Sequence, residues 1–125
     1  MRLPLCFSLT ALTLLGACSS VPNPASNAYG TWKGKLVTEE GACATKEESL
    51  LRVRGQTLIF NPGMGTAVLK GNYKEGQQVF QAELVEKGMN NTPYRRVFKA
   101  YPVGETIGGT YASPRCRARI TLKRE

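Results

Sequence analysis

Arginine gives this sequence its clearest capacity for binding chemistry. Near the end of the chain Arg115, Arg117 and Arg119 recur at every second position. Because successive side chains of a β-strand point to opposite faces, this spacing predicts a row of guanidinium groups on one face. Guanidinium groups pair in bidentate fashion with phosphates and carboxylates. Arg95 and Arg96 extend the row if their strand is a neighbour, so the sequence predicts a site for an anionic partner.

The same row has a structural explanation that needs no partner. Charged side chains on a solvated edge strand prevent pairing between the edges of two molecules. Nucleic-acid binding would suit a basic strand with Tyr101 and Tyr111 nearby, but an export signal at the start of the chain removes the domain from cytoplasmic DNA and RNA. We therefore keep the first two interpretations open and expect no nucleic-acid partner.

Residue types on which many enzymes depend are missing. The sequence has no His and no Asp, which excludes Ser-His-Asp and Cys-His catalysis and the His-based zinc motifs. The adjacent pairs Glu39-Glu40 and Glu47-Glu48 fall in the predicted loop after the first strand, whereas hydrolysis by two carboxylates requires separated acids. We expect no catalytic residue, no metal site and no cofactor, and hence not an enzyme.

The first 17 residues are organised as an export signal. Arg2 supplies a positive start, and residues 3–15 are apolar apart from one proline, one serine and two threonines. A resident transmembrane helix needs about 20 apolar residues, and this run is shorter. We expect a cleaved signal peptide, residues 1–17, and a mature chain of 108 residues with 16 Lys and Arg, nine Glu and a formal charge of +7.

The motif Leu15-Gly16-Ala17-Cys18 ends the apolar run and resembles the lipobox of bacterial lipoproteins. The resemblance implies cleavage before Cys18, a diacylglyceryl group on its thiol and a further acyl chain on the new amino group. Several acyl chains make a permanent anchor, where one would bind reversibly. Ser19 and Ser20 replace the aspartate that retains enterobacterial members at the inner membrane, so the resemblance implies the outer membrane, with the domain facing the periplasm. An ordinary secretory signal that ends in Ala-Cys is the alternative.

Two cysteines remain once Cys6 has left with the signal and Cys18 carries lipid. Cys43 and Cys116 then lie in an oxidising compartment, where we expect them to form a disulfide. The pair is 73 positions apart, and the loop-closure entropy of such a bridge corresponds to about 4 kcal/mol. A redox-active pair is the alternative, but it needs closely spaced cysteines such as Cys-x-x-Cys.

The mature chain divides into a tether and one domain. Residues 18–28 contain the lipidated cysteine and a segment of prolines and small polar residues, typical of a flexible tether. Residues 29–125 lack helical periodicity and alternate apolar with polar residues between turns rich in Gly, Pro and Asn. This pattern predicts eight strands, at residues 30–38, 49–54, 57–61, 66–73, 77–86, 94–101, 105–112 and 115–123.

Alternation within these strands predicts a buried face and a solvated face. It is clearest in the last strand, where the apolar positions alternate with basic residues and Thr121. The predicted core comprises Leu51, Val53, Leu58, Phe60, Leu69, Tyr73, Phe80, Ala82, Leu84, Ile107, Tyr111, Cys116, Ala118, Ile120 and Leu122.

Short links between the strands predict antiparallel neighbours, which can close as an eight-stranded up-and-down barrel or stack as a β-sandwich. We favour the all-β barrel, because closure removes exposed edges. Gly30-Thr31-Trp32 resembles the Gly-x-Trp signature of lipocalins and other calycins, in which a basic residue of the last strand packs across the tryptophan. The resemblance implies that Trp32 closes the barrel, with Arg117, Arg119 or Lys123 across it; a simple core aromatic is the alternative. The short chain, without a helix after the last strand, argues against a roomy ligand cavity.

Three functions follow from these observations. The first is a non-enzymatic binding or accessory module that contacts an anionic envelope partner, such as lipopolysaccharide, peptidoglycan or an envelope protein, through the arginines. The second is an inhibitor of an envelope hydrolase such as lysozyme, because periplasmic lysozyme inhibitors include small lipoproteins with eight-stranded barrels and a disulfide. The third is a calycin-like small-molecule carrier, which requires an open apolar mouth.

Overall fold

A computed structural model describes residues 22–43, 45–63 and 68–125. Within these ranges the regular structure is β-strand, apart from one short 3-10 turn, Met89–Asn91. The strands are β1 Gly30–Gly34, β2 Val37–Gly41, β3 Ser49–Arg54, β4 Thr57–Asn61, β5 Leu69–Asn72, β6 Phe80–Lys87, β7 Pro93–Val103, β8 Thr106–Ala112 and β9 Cys116–Arg124. The predicted signal peptide and the predicted lipidation of Cys18 lie outside the described residues.

The strands form one closed antiparallel barrel. From β3 to β9 each strand pairs with the next along the chain, and β1 pairs with both β3 and β9. These pairings close a ring of eight strands, and β2 continues along β9 as a ninth. The predicted all-β class and eight-stranded antiparallel barrel are therefore confirmed, and the alternative sandwich does not form.

The predicted first strand, residues 30–38, is divided into β1 and β2. Trp32 of β1 is paired with Arg124, and Val37 of β2 is paired with Arg119. A Cβ atom at Gly34 would lie 2.1 Å from the carbonyl oxygen of Thr121, so only glycine lets the chain pass so close to β9. The alternation of apolar residues does not reveal this close approach, and so it predicts one strand where there are two.

The barrel interior contains the core. In β9, buried residues alternate strictly with exposed ones, as predicted. The other predicted core residues are also buried, except Leu84, which is partly buried and packs against the core. Phe98, which is not among the predicted core residues, is fully buried and stacks on Phe60 with the ring centroids 4.1 Å apart. This aromatic pair fills the middle of the barrel.

The two ends of the barrel differ. At the closed end, short turns join the strands at residues 55–56 and 104–105, and the segment before β1 packs against the barrel. Ala28 of this segment is fully buried, and its N–H donates to Tyr73 Oη at 3.0 Å. Pro24 and Ala28 are both buried. Residues 22–28, which the sequence assigns to a flexible tether, therefore pack on the domain. At the opposite end, which we call the mouth, lie the loop residues 42–43, 45–48, 88–92 and 113–115.

We expect Gly34→Ala to lower the free energy of unfolding by about 1–3 kcal/mol, since the added carbon overlaps a backbone oxygen of β9. Gly108→Ala is a matched control, because a Cβ atom there would meet Val103 Cγ2 at an ordinary 3.5 Å. Urea unfolding of both variants measures the difference. Equal stabilities would contradict the requirement for glycine at position 34, where the chain passes close to β9.

Candidate functional site

Arg124 and Trp32 plug the closed end. The guanidinium carbon of Arg124 lies 4.3 Å from the centroid of the Trp32 ring, within the range of a cation–π interaction. Arg124 also donates hydrogen bonds to the carbonyl oxygens of Tyr29 and Asn27, the second at 2.9 Å. Trp32 Nε1 donates to Ala28 O at 2.9 Å. These contacts join the last strand, the first strand and the preceding segment.

The prediction that Arg117, Arg119 or Lys123 packs across Trp32 is wrong, because Arg124 occupies this position. The register between the first two strands and β9 explains the error. It aligns Arg119 with Val37 of β2, whereas Trp32 aligns with Arg124 at the far end of β9. Trp32 itself is fully buried, so this end of the barrel holds the fold together and offers no room for a ligand.

The predicted arginine row lies on the outer face of β9, beside the acidic residues of β2. Arg119 Nε is 3.1 Å from Glu39 Oε2, and Arg117 Nη1 is 3.9 Å from Glu40 Oε1. Glu39 and Glu40 thus lie in a strand, and their predicted place in a loop is wrong. Exposed ion pairs of this kind contribute about 0–1 kcal/mol. The row therefore presents less net positive charge than the sequence alone indicates.

Arg95 and Arg96 lie on opposite faces of β7. Arg95 is on the outer face and forms an ion pair with Glu83. Arg96 shares the inward face with buried Phe98 and is partly buried at the mouth. Strand β8 separates β7 from β9, so neither arginine extends the row on β9. The structure instead separates one candidate, Arg96, from the other predicted arginines.

A cavity of about 720 Å³ opens at the mouth. Leu36, Pro62 and Met89 give it apolar walls, and the disulfide between Cys43 and Cys116 forms part of its lining. Small-molecule pockets commonly have volumes of about 300–1,000 Å³. This space is open to solvent and is not an enclosed cavity within the barrel. The space lies largely among the loops of the mouth, above the core that Phe60 and Phe98 fill.

Arg96 brings positive charge to this cavity. Its Nε atom is 3.1 Å from Glu86 Oε1, but the N–H is not directed at the oxygen, so the contact is ionic without being a hydrogen bond. Burial lowers the pKa of Arg96, while hydrogen bonding to Tyr111 and Tyr94 and the charge of Glu86 raise it. The net effect is a raised pKa, and the guanidinium is permanently charged.

Arg115 lies on the rim of the same cavity. It is exposed, and its backbone N–H donates to Ser113 Oγ at 3.3 Å. Among the residues that the structure describes, no carboxylate lies within 4.0 Å of its guanidinium nitrogens. Arg115 is thus the member of the predicted row that lies at the same cavity as Arg96. Unlike Arg96, it has no acidic partner among the described residues.

The loop before β7 forms another part of the rim. Asn90 and Asn91 have positive φ angles of 61° and 58°, which are uncommon for residues other than glycine. The N–H of Gly88 donates to Thr92 O at 2.8 Å and closes the loop. Met89, at its tip, is 90% exposed. Strained backbone often holds functional groups in place, and here it holds an apolar side chain at the entrance of the cavity.

The disulfide joins the loop after β2 to the first residue of β9. The Cα atoms of Cys43 and Cys116 are 5.3 Å apart. Its presence agrees with the sequence prediction. The disulfide lines the cavity and holds one wall of the mouth in place. It therefore lies at the end of the barrel opposite the Arg124 plug.

Other classes of site are absent from the described parts of the chain. In residues 22–43, 45–63 and 68–125, no group of three or more His, Cys, Asp or Glu side chains is placed to hold a metal ion. None of the described helical structure has the length and hydropathy of a membrane-spanning segment. No family model, curated protein or solved structure matches this chain. The mouth is therefore interpreted from its own residues.

Most of the mouth is not among the residues predicted from the sequence. Tyr94 and Glu86 occupy inward-facing positions of β7 and β6, in alternation with core residues of the same strands. The alternation of Phe98 and Ala100, extended back along β7, places Arg96 and Tyr94 inside the barrel. This pattern is hidden in the sequence because the adjacent Arg95 and Arg96 look like one surface feature.

We expect Arg124→Lys to lower the free energy of unfolding by about 1–3 kcal/mol, because lysine cannot stack on Trp32 and donate to several carbonyl oxygens at once. Arg117→Lys, at an exposed position, should change it by less than about 0.5 kcal/mol. Thermal unfolding measures both. If the two variants were equally stable, Arg124 would not be the plug described above.

Reduction of the disulfide should destabilise the domain by about 2–4 kcal/mol, because the unfolded chain regains the entropy of a long loop. Urea unfolding with and without dithiothreitol measures this effect. The double variant Cys43→Ser, Cys116→Ser should match the reduced protein and be insensitive to reductant. Unchanged stability on reduction would show that the bridge contributes nothing to the fold.

Proposed function

We propose that this protein is a non-enzymatic binding module, held at the outer membrane by lipid on Cys18 and facing the periplasm. In this proposal it takes an anionic group of an envelope partner into the mouth of its barrel. The observation that carries the proposal is the position of Arg96, which points inward beside an open cavity of about 720 Å³. The lipobox and the missing His and Asp support the anchor and the non-enzymatic role.

The mouth is a better anion site than the outer face of β9. Arg117 and Arg119 each expose 66% of their side chains, and each faces a glutamate of β2. Arg96 exposes 24%. Charges interact more strongly where water is partly excluded, so an anion gains more from Arg96. Arg115 at the rim can attract the same anion on its way in.

The walls of the mouth indicate the kind of group that fits. Leu36, Pro62 and Met89 suit an apolar body, and Arg96 suits a phosphate or carboxylate attached to it. Tyr94 and Tyr111 present an aromatic surface and a hydroxyl each. An anionic amphiphile has both properties, and a molecule of lipopolysaccharide or acidic phospholipid outside the bilayer is an envelope molecule of this kind.

A calycin-like small-molecule carrier is the second candidate, and the volume of the cavity favours it. A carrier would enclose a free ligand and retain it, whereas a binding module would hold part of a larger partner. Native mass spectrometry of protein purified from its own host separates them. A bound small molecule would support the carrier, and its absence would support the module. The hypothesis of a hydrolase inhibitor stays a prediction.

We expect Arg96→Gln to weaken binding of dodecyl phosphate and laurate about tenfold to a hundredfold, since a hydrogen bond to a charged group contributes about 1.5–3 kcal/mol. Arg95→Gln is the matched control, because this neighbouring arginine lies on the outer face of β7. Isothermal titration calorimetry measures both affinities. Dodecanol, which lacks the charge, should bind weakly to all forms.

Arg96→Lys should recover part of the affinity, because it restores the charge without the planar group. Circular dichroism checks that each variant is folded. Equal affinities of the Arg95→Gln and Arg96→Gln variants would reject the mouth as the anion site. Loss of binding only in the double variant Arg117→Gln, Arg119→Gln would assign the site to the outer face of β9 instead.

A further inference from the structure

We propose that the closed end of the barrel carries a membrane-contact patch, formed by Val79, Tyr101 and Val103. In this arrangement the patch rests in the headgroup region of the same bilayer that holds the lipid anchor, and the mouth points away from it. The inference rests on the lipid anchor at Cys18 that the proposed function includes.

The three side chains are exposed and adjacent. Tyr101 and Val103 lie two residues apart on the outer face of β7. Val79 directly precedes Phe80, which is paired with Ala100, so Val79 lies beside Tyr101. Gly108 is paired with Tyr101 on the other side, and the Val103 side chain lies against the position of its missing Cβ atom. The result is a small apolar surface beside the closed end.

The start of the described chain lies at the same end. Pro22 O is 3.4 Å from Arg124 Nη2. Ala25 O accepts a hydrogen bond from Gln78 Nε2 at 2.8 Å, and Gln78 is the neighbour of Val79. The segment 22–28 therefore runs from the Arg124 plug towards the patch. An anchor attached to this segment draws the closed end, and not the mouth, towards the bilayer.

The length of the remaining tether limits how the domain can turn. Four peptide links separate Cys18 from Pro22, so their Cα atoms are at most about 14 Å apart. Strand β9 has nine residues and extends for about 30 Å. The mouth therefore lies further from Pro22 than the tether reaches. Whatever the orientation of the domain on the membrane, the short tether keeps the closed end close to the lipid headgroups. It does not keep the mouth close to them.

The chemistry of the patch suits this location. Tyrosine is enriched at membrane interfaces, where its ring contacts apolar groups and its hydroxyl contacts water. Lys99, exposed two residues before Tyr101 on the same face, can extend its apolar stem along the patch and place its ammonium group near lipid phosphates. Two valines and a tyrosine bind a bilayer weakly alone. The anchor raises their effective concentration at the surface, so weak contacts suffice to orient the domain.

The test uses the acylated protein in vesicles of phosphatidylethanolamine and phosphatidylglycerol, with an environment-sensitive fluorophore on Val103→Cys or on Val85→Cys. These valines are 59% and 56% exposed, and Val85 lies on β6 towards the mouth. We expect a blue-shifted emission at position 103, with quenching by lipids spin-labelled near the headgroup several-fold stronger than at position 85. Adding Val79→Ser and Tyr101→Ser should remove the difference.

Mass spectrometry of the same preparation establishes whether Cys18 is acylated. Equal quenching at the two positions in acylated protein would overturn the patch and leave the lipid anchor and the mouth site intact. Stronger quenching at position 85 would overturn the orientation, since it would place the mouth against the membrane. Unacylated protein would overturn both the patch and the anchored part of the proposed function.

Discussion

Closure of the sheet between its first and last strands is the constraint on which the rest of the structure depends. The direct pairing of β1 with β9 is short, involving Trp32 with Arg124 and Lys33 with Lys123. The stacking of Arg124 on Trp32 and its hydrogen bonds to the preceding segment reinforce this seam at one end. The disulfide reinforces it at the other. Between these two points the chain passes close to β9 at Gly34, and β2 then continues the seam.

This way of closing the barrel gives its ends different chemistry. The plug fills the closed end with a buried tryptophan and satisfies its backbone carbonyls, so nothing can enter there. Among the residues that the structure describes, the mouth has no equivalent plug, and its loops line the cavity that Arg96 faces. On the outer face, Arg117 and Arg119 of β9 form exposed ion pairs with glutamates of the neighbouring strand β2. What each arginine can bind therefore depends on whether it lies at the closed end, at the mouth or on the outer face of the barrel.

Much of this fold follows from local pattern. The alternation in residues 116–122 predicts which side chains of β9 are buried, because one face of a closed sheet must be apolar. The same pattern does not predict which arginine meets Trp32. That depends on the register between β1 and β9, which pairs Trp32 with Arg124. The same pattern does not predict the mouth. Arg95 and Arg96 are adjacent, so the start of β7 looks polar on both faces, and only the fold shows that Arg96 lies on the inward face.

The position of the seam determines when the barrel can become stable. Arg124 is 95 positions from Tyr29, to whose carbonyl it donates, so the closing contacts join the two extremes of the domain. Contacts between distant parts of a chain form slowly, because the entropy of a large loop is lost before they stabilise anything. Hairpins such as β6–β7 can form early, but until β9 arrives the sheet retains two unpaired edges that invite aggregation. Pairing of the last strand, β9, therefore ends the period in which the partly folded sheet can aggregate through its edges.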